Sequence, residues 1–194
     1  MSTMATEVRP ANGADAYAAP FGTSQHVWIA EDGTLVLLRP IEPSDFEIER
    51  DFVGRLSRHA AYQRLMSART PTHAELRRWT HIDREREGAV IATVFVDGRE
   101  QQIGVARYAM DGGNAGAEFA IVLSDTWQGK GLGAQLLSRL IDLARQSGVR
   151  QLFGSTLSEN SAMLALGRRL GFKLSRVAGA AIITMMSLVL RHEA

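Results

Sequence analysis

The stretch Gln128-Gly129-Lys130-Gly131-Leu132-Gly133 decides both the fold and the function expected of this chain. It lies between an apolar segment that ends at Leu123 and an amphipathic segment that starts at Leu132, an order typical of a strand, a glycine-rich turn and a helix. Glycine lets the backbone approach a ligand closely, and the helix start presents unpaired N–H groups and a positive dipole end to the same place. The stretch therefore predicts a site for a pyrophosphate group.

Two familiar nucleotide sites fit this stretch poorly. Gly129, Gly131 and Ala134 match the G-x-G-x-x-A pattern of a Rossmann dinucleotide site, but that pattern directly follows the first strand of its fold. Here residues 124–127 intervene, and at least three strand-like segments come earlier. A P-loop is excluded because the chain contains no Gly-Lys-Ser or Gly-Lys-Thr. A glycine-rich helix entry without a ligand remains the alternative.

Composition narrows the classes of function. The 194 residues, 45% of them hydrophobic, suit one packed domain. The chain contains 22 Lys and Arg, 21 Asp and Glu, and no run of basic residues. We therefore expect no nucleic-acid partner. The absence of cysteine removes disulfides, thiolate metal sites and cysteine nucleophiles, and the five histidines lack metal-site spacing, so no metal is expected. Without a signal peptide or a membrane-length apolar segment, we expect a cytoplasmic protein with no membrane partner.

Hydrophobic periodicity divides the chain into elements of one mixed sheet. Residues 1–25, rich in Ala, Gly and Pro, predict a flexible leader, and residues 26–194 the folded domain. The expected elements are a hairpin at 27–38, helices at 43–56, 58–68 and 72–79, strands at 89–96 and 102–110, a turn at 112–114, a strand at 117–123, a helix from 132 closed by Gly148, a strand at 151–157, a helix at 160–170, and strands at 172–177 and 180–190. Capping boxes are predicted at Ser44 with Glu47 and at Thr72 with Glu75. Strand 117–123 is expected to be buried on both faces and parallel to strand 151–157.

The Gln-x-x-Gly-x-Gly turn after a late apolar strand resembles the GNAT superfamily of acyl-CoA-dependent N-acyltransferases. The resemblance covers nearly the whole chain after the leader and includes Asn160, an apolar helix and Gly171-Phe172. It implies an α/β (α+β) fold whose central sheet is mixed, mostly antiparallel, of about seven strands and flanked by helices. A parallel pair of strands is implied around the acyl-CoA site.

Shorter motifs are similar to the acetyltransferase domain of bacterial Pat-type protein lysine acetyltransferases. These motifs are Arg39-Pro40-Ile41, Leu56-Ser57, Tyr62-Gln63-Arg64, Thr80-His81-Ile82-Asp83, Ala117-Glu118-Phe119-Ala120 and Met163-Leu164. The similarity implies acetyl-CoA as the co-substrate and a protein lysine, for example on an acyl-CoA synthetase, as the acceptor. A small amine as acceptor, and a non-catalytic acyl-CoA sensor, remain alternatives. The sequence does not indicate the acyl-chain preference or the oligomeric state.

Glu118 is the predicted catalytic residue. Attack on a thioester requires a neutral amine, whereas a lysine amine has a pKa near ~10.4, so a base is needed. Glu118 is the sole carboxylate in strand 117–123, and a carboxylate buried in apolar surroundings binds protons more tightly than one in water, which suits a general base. Pat-like sequences also use a glutamate here. A half-solvated carboxylate at a strand end is the alternative, and Asp83 is a second candidate base.

The remaining site residues are implied by the resemblance. Ile121, Val122 and Leu123 are expected along the pantetheine, with one N–H directed at the thioester carbonyl to stabilise the charge that develops there. Residues 128–133, including Lys130, are expected around the pyrophosphate, and Asn160 on the second CoA-facing element. Gly167 occupies the position where many superfamily members place a tyrosine as general acid, a tyrosine that Pat-like domains also lack. Because cysteine is absent, direct transfer without an acyl-enzyme is expected.

Overall fold

The computed structural model describes residues 25–58, 60, 71–110, 116–177 and 179–190. In these ranges, eight strands form one sheet and four α-helices flank it. The strands are β1 (His26–Ile29), β2 (Leu35–Pro40), β3 (Glu87–Val96), β4 (Arg99–Met110), β5 (Gly116–Leu123), β6 (Gln151–Leu157), β7 (Lys173–Val177) and β8 (Ala180–Val189). The helices are α1 (Phe46–Arg55), α2 (His73–Thr80), α3 (Leu132–Gln146) and α4 (Ser161–Arg169). No helix in these ranges is long and apolar enough to cross a membrane.

The sheet contains one parallel contact, and that contact is short. The strand order is β1-β2-β3-β4-β5-β6-β8-β7, with every neighbouring pair antiparallel except β5 and β6, which α3 connects. These two strands pair only from Gly116 opposite Gln151 to Glu118 opposite Phe153. Beyond Glu118 the two strands separate, which opens a gap between their C-terminal halves.

Gly154 lies where β5 and β6 begin to separate. A Cβ at this position would lie 2.9 Å from the carbonyl oxygen of Phe119 and 3.0 Å from its ring. Cβ atoms do not approach a carbonyl oxygen this closely, so the backbone contact requires glycine.

Each face of the sheet has its own apolar cluster. On one face, the predicted stripe of α3 is buried throughout, at Leu132, Leu136, Leu137, Leu140, Ile141 and Ala144. On the other face, Phe52 of α1 packs in a smaller cluster with Ile91, Val105 and Val122. Burial of these large side chains stabilises the fold by about 1.5–3 kcal/mol each.

Most predicted elements are confirmed within one or two residues. Asp97 and Gly98 have φ values of 51° and 74° in the β3–β4 turn, the geometry of a type I′ hairpin. At α2, the Thr72 side chain accepts from the Glu75 N–H at 3.2 Å and the Glu75 carboxylate accepts from the Thr72 N–H at 2.9 Å, which confirms that capping box. The sheet has eight strands where about seven were expected, because residues 26–29 pair fully with β2.

The prediction of Ser44 as an N-cap is wrong. Pro43–Asp45 form a 3-10 turn that precedes α1, with Ser44 inside it. The Asp45 carboxylate accepts from the Glu42 N–H at 2.7 Å, so the box begins two residues earlier than predicted and does not use Glu47. Proline fits the first position of a helical turn because it has no N–H to satisfy, which shifts the cap to Glu42.

The prediction that strand 117–123 is buried on both faces is also wrong. Ala117 and Phe119 are buried against the α3 face, but Glu118 and Ala120 on the opposite face are exposed. On that side the described helices leave part of β5 uncovered, and a cleft lies there.

Some predictions lie outside the described residues. These are the leader up to residue 24, most of the helix expected at 58–68, and the turn at 112–114.

Candidate active site

The glycine-rich turn has the backbone geometry that its sequence predicts. Gly129 and Gly131 have φ values of 74° and 88°, in the left-handed region that favours glycine. The 3-10 turn Asp125–Trp127 leads into them, and α3 begins directly after Gly131. A Cβ at Gly129 would project into open space, so the absence of a side chain leaves room for a ligand beside the backbone.

The N–H groups of this turn are available to an anion. Among the described residues, no backbone carbonyl accepts a hydrogen bond from the N–H groups of residues 129–133. The first internal bond of α3 runs from the Ala134 N–H to the Gly131 carbonyl, at 3.1 Å. Unpaired N–H groups at the positive end of a fifteen-residue helix favour a phosphate ligand, so the turn fits a pyrophosphate.

A cavity of about 340 Å³, here named the loop cavity, joins this turn to the gap between β5 and β6. It contains most of the residues that the resemblance assigned to CoA, namely Ile121, Val122, Leu123, Gln128, Gly129, Gly131, Gly133 and Asn160. These residues come from β5, the turn, α3 and the start of α4, so the fold brings together segments that are distant in sequence.

Lys130 and Leu132 do not line the loop cavity. The Lys130 amine lies 4.0 Å from the Asp32 carboxylate and 5.1 Å from the centre of the Trp127 ring, both outside the cavity. Leu132 is fully buried under the turn, so any contact with a ligand runs through its backbone. Trp127 packs against the apolar cluster on the α3 face of the sheet and thereby supports the turn.

Asn160 and Gly167 both have structural roles in α4. The Asn160 side chain caps α4 by accepting from the Met163 N–H at 3.1 Å, so its oxygen is already engaged. Gly167 is buried, and a Cβ there would collide with the methyl group of Met186. A tyrosine at position 167 therefore requires Met186 to move, which agrees with the absence of a tyrosine acid at this site.

Sequence reasoning missed seven further residues of the loop cavity. Arg169 is the cation among the described lining residues, and the other six are Ala60, Ala134, Ala162, Met163, Ala165 and Leu166. Ala162, Ala165 and Arg169 follow helical spacing on α4, a signal that would have placed them on one face once Asn160 was assigned to the site.

A second cavity of about 320 Å³, here named the sheet cleft, lies on the face of β5 that carries Glu118 and Ala120, away from α3. Its floor is set by strand register, since Glu87 lies opposite Ala109, which in turn lies opposite Glu118. Adjacent strands are about 4.8 Å apart, so the backbones of Glu87 and Glu118 are separated by roughly 10 Å across this row. The methyl groups of Ala109 and Ala120 leave the space between them open, and Trp79 of α2 lines the cleft from the helix side.

Glu118 lies in the sheet cleft with its carboxylate exposed. The burial that was expected to favour proton abstraction is therefore not present. Among the described residues, Glu118 makes no hydrogen bond and no ion pair. Ile121 of the loop cavity lies three residues further along the same strand, about 10 Å away. A ligand that extends through the gap between β5 and β6 can reach this carboxylate.

The other charged side chains of the cleft are paired. Arg78 and Glu87 form a bidentate ion pair with N–O distances of 2.7 and 2.5 Å. Burial raises the pKa of Glu87, but the hydrogen bonds from Arg78 and from the Asp83 N–H outweigh burial, so the pKa lies below the usual value for glutamate. Arg107 donates to the fully buried carboxylate of Glu49 at 3.0 Å.

Asp83 serves the turn that precedes β3. Its carboxylate accepts from the Glu85 N–H at 3.1 Å, and Asp83 does not line the sheet cleft. No group of three or more His, Asp or Glu side chains placed to hold a metal ion occurs in the described ranges.

Residues 36–173 match the family model of the GNAT acetyltransferase domain. The chain belongs to the GNAT acetyltransferase family. It is therefore an N-acetyltransferase with acetyl-CoA as its acetyl donor, and the loop cavity lies in the matched GNAT region.

Three acetyltransferases are similar to this chain in sequence. Acetyltransferase PA5475 of Pseudomonas aeruginosa is 35% identical over 86% of this chain and 90% of its own length. Acetyltransferase Pat of Mycolicibacterium smegmatis is 33% identical over 72% of this chain, which spans only 41% of Pat. The L-methionine sulfoximine/L-methionine sulfone acetyltransferase of Pseudomonas aeruginosa is 34% identical over 55% of this chain and 63% of its length.

Solved GNAT structures share the fold. The GNAT domain of S. lividans PAT superposes with a TM-score of 0.74 at 23% identity, over 86% of this chain and 97% of that domain. An acetyltransferase from Salmonella typhimurium, yncA with its cofactor acetyl-CoA, superposes with a TM-score of 0.63 at 24% identity, over 82% of this chain and 96% of that one. At these identities the likeness establishes the mixed GNAT fold, with β5 and β6 as its parallel pair.

Proposed function

We propose that this enzyme transfers the acetyl group of acetyl-CoA directly to the side-chain amine of a protein lysine, with Glu118 as the general base. The observation that carries the proposal is the unpaired carboxylate of Glu118, about three residues along β5 from the loop cavity. The acetyl donor would then approach β5 through the gap beside β6, and the acceptor amine would approach it from the sheet cleft.

The donor end of the site is assigned to the loop cavity. Acetyl-CoA supplies an acetyl group activated as a thioester. The N–H groups of residues 129–133 would hold its pyrophosphate, and Arg169 would add positive charge beside its phosphates. Ile121, Val122 and Leu123 line the loop cavity, and the pantetheine would pass along them between the strands.

Glu118 performs the proton transfer at the acceptor end. It removes one proton from the lysine ammonium, directly or through a water, and leaves a nitrogen lone pair free to attack. A nitrogen–carbon bond to the acetyl group forms, the carbon–sulfur bond breaks, and the sulfur departs with the electron pair. The nitrogen then loses its second proton to the departing thiolate, which gives a neutral amide and the free thiol of CoA. A thiol of pKa ~8.5 is a tolerable leaving group as its thiolate, so no protein acid is required at Gly167.

Two observations bear on the acceptor. Similarity to acetyltransferase Pat, together with the motifs that resemble Pat-type protein lysine acetyltransferases, supports a protein lysine. Similarity to the methionine sulfoximine acetyltransferase favours a small amine as the second candidate.

The acceptor is tested by thiol release from acetyl-CoA with a panel of lysine peptides and a panel of free small amines. We expect kcat/KM to be highest for the lysine peptides. Turnover confined to small amines would replace the first proposal with the second, and binding of CoA without turnover of any amine would indicate a sensor.

The role of Glu118 is tested by Glu118→Gln, with Glu31→Gln in the exposed β1–β2 turn as the control. The change keeps the shape of the side chain but removes proton acceptance, so we expect turnover to fall by roughly 10²-fold or more with Kd for CoA unchanged. Glu31→Gln should keep the wild-type turnover and the wild-type Kd for CoA. Retention of most turnover in Glu118→Gln would make Glu118 structural.

A further inference from the structure

The floor of the sheet cleft includes two small exposed side chains. Ala109 and Ala120 are exposed on adjacent strands, and Trp79 and Ile82 line the cleft from α2 and the turn that follows it. A slender aliphatic chain fits between these alanines and the helix, since neither alanine extends beyond its methyl group.

Both guanidinium groups of the cleft are already engaged by carboxylates. Arg78 presents its two terminal nitrogens to the two oxygens of Glu87, which is the fork-to-fork geometry that a substrate carboxylate would need. Arg107 donates to Glu49 at 3.0 Å and to the Trp79 carbonyl at 3.3 Å, and its guanidinium lies 5.4 Å from the centre of the Trp79 ring.

Among the described charged side chains that line the cleft, Glu118 alone has no partner. Arg78 is paired with Glu87, and Arg107 is paired with Glu49, which is fully buried and does not line the cleft, so neither guanidinium is free to bind a carboxylate. A positive amine is attracted to the Glu118 carboxylate, whereas a carboxylate on the same ligand is repelled by it.

We infer that the sheet cleft is the acceptor site and that it selects a primary ammonium on an uncharged aliphatic stem, while it rejects an amine that carries a neighbouring carboxylate. The inference rests on the proposed function, because it requires Glu118 to lie beside the acceptor. A lysine within a protein satisfies this selection, and a free α-amino acid does not.

The selection is measured with acceptor pairs that differ only in a carboxylate. Thiol release is followed with Nα-acetyl-lysine amide against Nα-acetyl-lysine, and with leucinamide against leucine. We expect kcat/KM for the lysine amide to exceed that for the acid by a few-fold, because its carboxylate is remote from the amine. Each kcat/KM is divided by the fraction of amine that is neutral at the assay pH, because an adjacent carboxylate also raises the pKa of the amine itself. For leucinamide over leucine we then expect at least about tenfold, because there the carboxylate adjoins the amine.

The outcomes separate the inference from the proposed function. If leucine matches or exceeds leucinamide while lysine compounds are also acetylated, the selection is overturned and the proposed function stands. If no amine is acetylated although CoA binds, both are overturned.

Glu87→Gln tests whether paired arginines set the selection, with Glu85→Gln as a control that carries the same charge change outside the cleft. Releasing Arg78 should reduce the leucinamide preference by about tenfold, and Glu85→Gln should leave it unchanged. Arg78→Gln, which makes the cleft more negative, should raise the preference and provides the test if Glu87→Gln folds poorly. An unchanged preference in folded Glu87→Gln and Arg78→Gln overturns the inference.

Discussion

The glycine-rich turn can be tested by Gly129→Ala, with Gly148→Ala as a matched control. Both glycines have left-handed backbone, with φ values of 74° and 78°. A Cβ at either position meets no atom within 4 Å, so neither change causes a collision. Forcing an alanine into this conformation costs about 1–2 kcal/mol at each site, and the two variants should lose similar stability.

Of the two glycines compared, Gly129 lines the loop cavity and Gly148 does not. Gly148 lies beyond the other end of α3, whose fifteen residues place it roughly 22 Å from the turn. An alanine at 129 that relaxes from left-handed φ rotates the peptide that joins it to Lys130, and this turns an N–H away from the pyrophosphate. A hydrogen bond to a charged group contributes about 1.5–3 kcal/mol, so Kd for CoA should rise roughly 10- to 150-fold.

Calorimetric titration of CoA into both variants measures this difference, and thermal unfolding establishes that each is folded. Gly148→Ala should bind CoA as the wild type does. Equal CoA affinity in folded Gly129→Ala and Gly148→Ala would refute the assignment of the turn to the pyrophosphate.

Three further predictions follow from single contacts. Arg169→Ala should weaken CoA binding about threefold to tenfold in calorimetry, whereas Arg168→Ala, which does not line the loop cavity, should not; equal effects would remove Arg169 from the site. Gly154→Ala should lower the free energy of unfolding by about 1–3 kcal/mol in urea titrations because its Cβ meets the Phe119 carbonyl, and an unchanged value would contradict that packing. The pKa of Glu87 is lowered mainly by Arg78 against the effect of burial, so their ion pair stabilises the fold above the usual glutamate pKa and is lost as pH falls through the lowered value. The stability difference between wild type and Glu87→Gln, about 1 kcal/mol or less near neutral pH, should therefore vanish in acid.

Features set by local sequence were predictable. The glycines at 129 and 131 specify a left-handed turn, and the six apolar residues of α3 specify one buried stripe, because backbone sterics and helical period act over a few residues. The Asp97-Gly98 hairpin belongs to the same class. For this reason the backbone of the turn and the helix behind it followed from the sequence, and eight of the ten residues expected around CoA line the loop cavity.

Features set by distant contacts were not predictable. Glu49 and Arg107 are 58 residues apart, and nothing local to either indicates that they pair under the sheet cleft. The exposure of Glu118 likewise depends on how far α1 and α2 extend over β5, which the apolar composition of the strand does not reveal. The acceptor half of the site therefore required the structure.

The separation of β5 from β6 explains where the donor half and the acceptor half of the candidate site meet. Glu118 is the last residue of β5 that pairs with β6, so from Phe119 onward the backbone groups that point away from β4 have no strand partner in the described chain. The same separation opens the loop cavity and leaves backbone donors near Ile121 unpaired inside it. The proposed base, Glu118, is the last paired residue of β5 and is held by strands on both sides, while the gap assigned to the acetyl donor begins directly beyond it. Rigid support for the proposed base and an open path for the donor thus arise from one break in strand pairing.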